Sequence, residues 1–265
     1  MAISEQVIEA QRLRGEIRSG EVAGPTSGLA PGVAQANLVV LPAEEAAEFQ
    51  QFCLANPKPC PLLEVTDPGD PVPHMLAPSA DLRTDVPRYR VYRNGELAEE
   101  RTDITDLWRD DLVAFLLGCS FTFERALLEA GVPVRHIELC RNVPMYRTTR
   151  QCVPAGRFQG PLVVSMRPIP ASLVAKSIAV TEAYPHMHGA PVHAGDPSAL
   201  GIHDLSAPDY GDPVPVMEGD VPVFWACGVT PQAVALASKV PFMITHRPGH
   251  MFITDRLDTE ILGEL

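Results

Sequence analysis

Several of the motifs that would settle the chemistry of a chain at once are missing here. There is no GxGxxG or Walker-type glycine loop. Nothing is therefore built to cradle nucleotide phosphates on backbone N–H groups, and no cofactor is expected. No HExxH or comparable zinc spacing occurs, so no metal site is expected from motif alone. The six cysteines (Cys53, Cys60, Cys119, Cys140, Cys152, Cys227) form no CxxC pair and no compact framework. Free thiols in a reducing compartment are the expectation. No run approaches the ~18 apolar residues of a membrane span, and MAISEQVIEAQRLRGEIRSG at the N-terminus has no apolar core of an export signal. Cytoplasmic location with no membrane partner follows as the expectation. Positive charge is also scarce. Lys and Arg number 21 against 33 Asp and Glu, for a formal net charge of −12, which repels nucleic acid and anionic lipid, because both need clustered cations to displace counterions.

What is present is ordinary globular material with an excess of proline. Of 265 residues, 46% are hydrophobic and 20% charged, and 27 are proline, roughly twice average usage. Stiff, ordered connections are expected around one large domain, or one domain with a smaller partner. Residues 4–18 have helical spacing of Val7, Ala10, Leu13 and Ile17 behind Ser4 as cap, with Gly20 after the end. A Gly/Pro-rich loop, GPTSGLAPGVAQANLVVLP, feeds a short apolar strand at 38–41, and a second helix starts at Pro42. Strand is expected at 62–65, and Asn94-Gly95 is a type I′ hairpin signal. Helices are expected at about 106–117, from 121 to Glu129 and at about 170–183, with strands at 136–140 and 162–166. VPVFWAC (221–227), a helix opened by Thr230-Pro231, and VPFMIT (240–245) have the pattern of a βαβ unit, predicting a parallel pair. The resulting fold class is α/β: a three-layer α/β main domain (1–120 plus 191–265) with a smaller inserted two-layer α+β domain (121–190).

Two short stretches concentrate the chemistry. HMHGAPVHAGDPSALGI (186–202) carries His186, His188, His193 and Asp196, and THRPGHMFITD (245–255) carries His246, Arg247 and His250. Five of the chain's eight histidines sit in them, and imidazole is the side chain best suited to moving protons near neutral pH. The expectation is that the two loops face each other across one polar pocket. A purely structural role, with glycine and proline turning the chain and histidines hydrogen-bonded in place, explains the same letters. Arg247 and the positive start of the helix at Thr230 would favour a small anionic substrate. RNVPMYRT adds Arg141, Asn142, Tyr146 and Arg147, of which Arg147 is the first choice for binding a carboxylate, and SMRPIP adds Arg167. Cys119-Ser120, with Glu124 one turn on, could be a nucleophile at a helix start or a small buried residue beside an N-cap. His186-x-His188 with His193 could hold a metal, though in loose geometry.

GPTSGLAPGVAQANLVVLP, DLRTDVPRYRVYRNGEL, GCSFTFE, RNVPMYRT, SMRPIP, HGAPVHAGDP and THRPGHMFITD, in this order, resemble the hydro-lyase family also described as D-glutamate cyclase-like. The resemblance covers most of the chain. It implies a three-layer α/β part with a smaller two-layer part, and an enzyme of glutamate metabolism turning D-glutamate into 5-oxo-D-proline and water. For that reaction the residues above suggest His193 or His188 as base with Asp196 orienting it, His246 or His250 as acid, and Arg147 and Arg247 on the carboxylates. Tyr146, Arg167, Ser120 and Thr230 complete the expected substrate-binding set. A metal-assisted dehydratase of a small hydroxy acid and a non-catalytic small-carboxylate-binding protein are the alternatives. A homodimer is the base-rate expectation for such an enzyme.

Overall fold

The computed structural model describes residues 4–261. Helix α1 (Glu5–Ser19) begins where Ser4 accepts a hydrogen bond from the Val7 N–H and ends at Gly20 in the left-handed conformation, φ 83°. Both ends follow ordinary capping chemistry. β1 (Val33–Pro42) runs directly into α2 (Ala43–Ala55). After β2 (Leu62–Val65), a proline-dense excursion leads to the hairpin of β3 (Tyr89–Arg93) and β4 (Glu96–Arg101). The hairpin turns on Asn94 and Gly95, both at positive φ, as a type I′ turn requires. β5 (Leu112–Gly118), α3 (Glu124–Glu129) and the four-residue α4 (Arg135–Glu138) follow. Next come β6 (Met145–Gln151), β7 (Pro161–Pro170), α5 (Val174–Glu182), β8 (His193–Ala194), β9 (Asp220–Ala226), α6 (Thr230–Ser238), β10 (Phe242–His246) and β11 (Phe252–Leu257).

This is an α/β fold with two sheets. The larger has the order β2-β5-β1-β10-β3-β4 with β11 also pairing β1, and the smaller the order β6-β7-β9-β8. Every strand pairing among the described residues is antiparallel. The parallel β9–α6–β10 unit expected from sequence is therefore corrected: β9 joins the smaller sheet and β10 the larger, with α6 bridging them. Hydrophobic pattern identifies two strands and a helix, but not whether both strands enter one sheet. The smaller sheet draws its strands from residues 145–226.

Both central strands of the larger sheet are buried on two faces. On β1, Ala34, Ala36, Leu38 and Val40 face one core and Val39 and Leu41 the other; on β5, Leu112, Ala114 and Leu116 alternate with Val113, Phe115 and Leu117 in the same way. That double burial erases the polar alternation of a surface strand, which is why LVAFLLG reads as helix in the sequence and is a strand in the fold. The expected strand at 136–140 is likewise corrected to α4 and the turn after it. One core holds α2 and α6 through Phe49, Phe52 and Val234. The other joins the two sheets through Ile169, Val223 and Trp225 of the smaller one.

Candidate functional site

Register between β3 and β10 builds a charged cavity at one end of the larger sheet. His246 lies opposite Tyr89 at the end of the β10–β3 ladder, and one residue on, the Arg247 N–H donates to Arg88 O at 2.7 Å. Arg88 and Arg90, two apart on an extended chain, project to the same side. Past β10 the chain turns back at once: the His250 N–H donates to Arg247 O at 2.9 Å, and Gly249 takes φ 83°. Thr26, from the Gly/Pro-rich loop, ties down that turn by donating its N–H to Gly249 O at 2.8 Å and accepting from the Met251 N–H at 3.0 Å. The cavity so formed encloses about 500 Å³, and its polar lining is Arg88, Arg90, Arg247, His250, Asn142 and the 209–212 segment.

Three guanidiniums stand against three carboxylates here, and the pairing among them is uneven. Glu100 serves two of the arginines, accepting from Arg90 Nε at 2.8 Å and lying 3.7 Å from Arg247. Burial would raise the Glu100 carboxyl, but Arg90, Arg247 and Arg88 overcome this and hold it low. Arg88 has no carboxylate within ion-pair distance among the described residues. Asp209 and Asp212 also line the cavity, each fixed by one main-chain donor: the Arg147 N–H on Asp209 Oδ2 and the Asn142 N–H on Asp212 Oδ2, both at 2.8 Å.

His250 is neutral at physiological pH. Burial pulls its pKa down to about 4, and the charges of Arg247 and Arg88 act in the same direction against the Pro248 hydrogen bond. Its Nδ1 lies 3.1 Å from Pro248 O. A carbonyl only accepts, so Nδ1 carries the proton and Nε2 keeps the lone pair of a base.

A second polar cluster lies in the interior. Arg167, fully buried and stacked over Phe123 and Trp225 at 5.2 and 5.4 Å, donates to Glu124 Oε1 at 2.5 Å and to Ser120 Oγ at 3.1 Å. His136 Nε2 lies 2.9 Å from the same Glu124 oxygen, and Ser27 donates to the other at 2.9 Å. Burial works to raise Glu124, and His136 and Arg167 outweigh it, holding the carboxyl at about 2. A buried pair so fully partnered fixes how α3 meets β7; its ions are committed to one another.

The two histidine loops do not meet in this cavity. No residue of 186–202 lines it. His188 is buried at φ 75° with Nδ1 2.7 Å from Lys58 O, and the segment before it packs so tightly on the end of β5 that a side chain at Gly118 would collide with His186 O. His193 reaches the main-chain oxygen of Asp196 at 2.7 Å, while the Asp196 carboxylate caps the next turn through the Ser198 N–H and hydroxyl. Asp196 therefore orients His193 through its backbone, not its acid. His246 is sealed between strands against the Leu38 main chain. Of the expected catalytic set only His250, and of the arginines only Arg247, line the cavity.

The remaining expected residues have other partners. Arg147 stacks on the Tyr210 ring at 5.5 Å, behind the cavity lining, and Tyr146 is buried with its hydroxyl on Leu205 O. Arg167 and Ser120 belong to the interior cluster. Thr230 is buried and spends its hydroxyl on Cys227 O at 2.7 Å, so the start of α6 offers no anion site. Cys119 is buried and its thiol is pushed well up by desolvation, which removes the thiolate a nucleophile needs. The His186, His188 and His193 metal arrangement is not assembled, and among the described residues no group of three or more His, Cys, Asp or Glu is placed to hold a metal ion. No helix among them is long and apolar enough to cross a membrane. Sequence reasoning missed Arg88, Arg90, Asp209 and Asp212. The Arg-x-Arg spacing in VPRYRVYR was the available signal, since it puts both guanidiniums on one face of a strand.

Comparison with known proteins bears on the same regions. Residues 113–255 match the family model described as D-glutamate cyclase. A protein named "Putative hydro-lyase" from Rubrobacter xylanophilus is 66% identical over 251 residues, 95% of this chain and 97% of that one. Its namesakes from Geobacillus kaustophilus and Bacillus licheniformis are 61% and 60% identical, covering 96% and 94% of this chain and 97% and 95% of their own. With a family model spanning more than half its length and relatives this similar over nearly all of it, the chain belongs to the D-glutamate cyclase family.

Proposed function

We propose that this protein is a carbon–oxygen lyase that closes D-glutamate to 5-oxo-D-proline with loss of water, in the cavity formed by Arg88, Arg90, Arg247 and His250. The family membership supports the reaction class. The observation that carries the site is the three guanidiniums of Arg88, Arg90 and Arg247 lining one cavity, Arg88 with no carboxylate partner among the described residues, beside an imidazole held neutral with Nε2 free to accept a proton. A carboxylate of the substrate gives Arg88 the partner it lacks, and arginine forks match carboxylates in geometry as well as sign.

In this reading the arginines hold the two carboxylates in the curled conformation that brings the substrate's amine to its own γ-carboxyl. Proximity is then already paid in binding, and proton traffic is the remaining obstacle. With the dicarboxylate bound, its negative charge offsets that of Arg247 and Arg88 and raises His250 above its resting value, and Nε2 then takes a proton from the ammonium. The freed amine attacks the γ-carbon, a C–N bond forms, and the negative charge that develops on the carboxyl oxygens lies against the guanidiniums. Nitrogen loses a second proton as the amide forms and the C–O bond breaks. Both protons end on the departing oxygen, which leaves as water, and His250 delivers the one it took, returning to its neutral form.

Incubation with D-glutamate, L-glutamate and small hydroxy acids, following loss of one water by mass spectrometry, tests the reaction. His250→Asn should lower turnover of D-glutamate by roughly 10²- to 10⁴-fold, the usual contribution of a general base, with an unchanged melting curve. Undiminished turnover in that variant would remove His250 from the chemistry. A wild-type protein inert towards D-glutamate would remove the reaction.

A further inference from the structure

Tyr210 stands in the cavity wall between Asp209 and Gly211, half-buried rather than sealed. Its main chain is fixed on both sides: the Tyr210 N–H donates to Met145 O at 3.1 Å, and its carbonyl accepts from the Met145 N–H at 2.9 Å. The ring is fixed as well. Arg147 stacks on it at 5.5 Å and donates from Nε to the phenol oxygen at 3.2 Å.

That second contact decides what the hydroxyl has left to offer. A guanidinium can only donate, so the phenol oxygen is the acceptor and its own proton is not used in the bond. Among the described residues the hydroxyl makes no other hydrogen bond. Burial raises the phenol above its ordinary range and Asp209 acts with it, while Arg147 and Arg90 oppose them. Tyr210 therefore keeps its proton at the pH of a working enzyme. Arg90, whose charge reaches this phenol, lines the same cavity, which sets the hydroxyl where the guanidinium wall meets the 209–212 segment.

We infer that Tyr210 is a second catalytic residue of this cavity, the acid that protonates the departing oxygen. This rests on the reaction proposed above, in which His250 carries one proton and the second has no carrier. Arginines hold their protons too firmly to act as acids. The phenol gives its proton to the hydroxyl on the γ-carbon as the C–O bond breaks, the bonding pair goes to that oxygen, and water leaves. The phenolate then takes the second proton of the nitrogen as the amide forms, and Tyr210 returns to its starting state. Arg147, already on the phenol oxygen, stabilises the negative charge in between. This gives Arg147 a part in the reaction without contact to substrate.

Tyr210→Phe keeps the ring and removes only the hydroxyl. kcat and KM for D-glutamate and the affinity for glutarate, the same dicarboxylate without nitrogen, are measured for wild type and variant, the last by calorimetric titration. kcat should fall roughly 10²- to 10⁴-fold, the usual contribution of a general acid, with KM and glutarate affinity within about twofold. Placing 3,5-difluorotyrosine at position 210 makes the phenol more acidic with little change of shape. An acid stops working as pH rises through its pKa, so the alkaline fall of kcat should move to lower pH. Wild-type kcat in Tyr210→Phe, an equal loss of glutarate affinity, or an alkaline limb unmoved by fluorination would overturn the assignment while leaving the reaction standing. Wild-type protein that binds glutarate but does not convert D-glutamate would overturn the reaction and the assignment together.

Discussion

Acidification should unfold this protein well above the pH at which most of its carboxylates protonate, because of two imidazoles placed where a proton cannot follow. His188 and His246 are buried to within 1% of full enclosure, and desolvation holds each at a pKa of about 4 against an ordinary 6.5. In the unfolded chain both titrate near 6.5. Between pH 6.5 and 4 the unfolded state therefore binds two protons that the native state refuses, and stability present above pH 6.5 is lost as pH falls through that window. Each histidine is worth about 3 kcal/mol across it at ~1.4 kcal/mol per pH unit. The two together approach the whole stability of a typical domain, about 5–15 kcal/mol. His250, held at about 4 as well, adds a third contribution in the same direction. Glu124, held at about 2, works in a different window: its contribution is intact above the ordinary carboxyl pKa of 4.5 and is lost only below it, so it offsets nothing between pH 6.5 and 5.

Urea or thermal unfolding followed by circular dichroism from pH 7.5 to 4.5 should show stability falling by about 4 kcal/mol per pH unit below pH 6, or roughly 8–16 °C per unit in Tm for a chain of this size. His188→Gln and His246→Gln should each be less stable at pH 7 and show about two-thirds of the wild-type slope. A Tm that is flat between pH 6.5 and 5 would refute the reasoning, since it would mean these rings accept protons in place at no cost.

Arg88→Ala should leave stability within about 0.5 kcal/mol, because no carboxylate depends on it as Glu100 depends on Arg90, yet raise KM for D-glutamate by at least roughly tenfold, read from initial rates. Glu124→Gln strands the fully buried Arg167 and should cost about 3–5 kcal/mol in urea unfolding; a loss under 1 kcal/mol would show that water or another group satisfies the guanidinium. His193→Ala should turn over D-glutamate at the wild-type rate, since its ring rests on Asp196 O outside the cavity. A large loss in that variant would bring the 186–202 loop back into the chemistry.

The interior explains why so few of the histidines are available for catalysis. His188 anchors the 186–188 segment to the Lys58 carbonyl, and His246 fills a place between β1 and β10, where its ring meets the Leu38 main chain. Both are neutral structural groups at the pH of a working enzyme. His250 differs by two features of its turn: Pro248 supplies a carbonyl that fixes the tautomer, and Gly249 at positive φ brings the ring round to the cavity beside Arg247. Three imidazoles with similarly lowered pKa values thus have different prospects, decided by whether Nε2 meets a cavity or a packed strand.

The sequence by itself determined whatever is encoded within a few residues. Ser4 and Gly20 bound α1 and Asn94-Gly95 makes the hairpin, because caps and turns depend on hydrogen bonds and φ preferences that neighbours alone decide, whereas Thr230, expected as the N-cap of α6, is its first helical residue behind Val229 and makes no cap hydrogen bond. The ordered motifs from GPTSGLAPG to THRPGH were enough to recognise the family, and THRPGH already held three of the cavity's residues, Arg247, Pro248 and His250. Tertiary structure alone decided the rest. LVAFLLG is a strand because cores press on both its faces, β9 and β10 part into different sheets, and His250 alone of the two histidine-rich loops reaches the arginine-lined cavity, through contacts such as the Arg247 N–H on Arg88 O that join residues more than a hundred positions apart. Those pairings are selected by the burial and hydrogen bonding of the whole chain at once, and no local pattern of letters carries them.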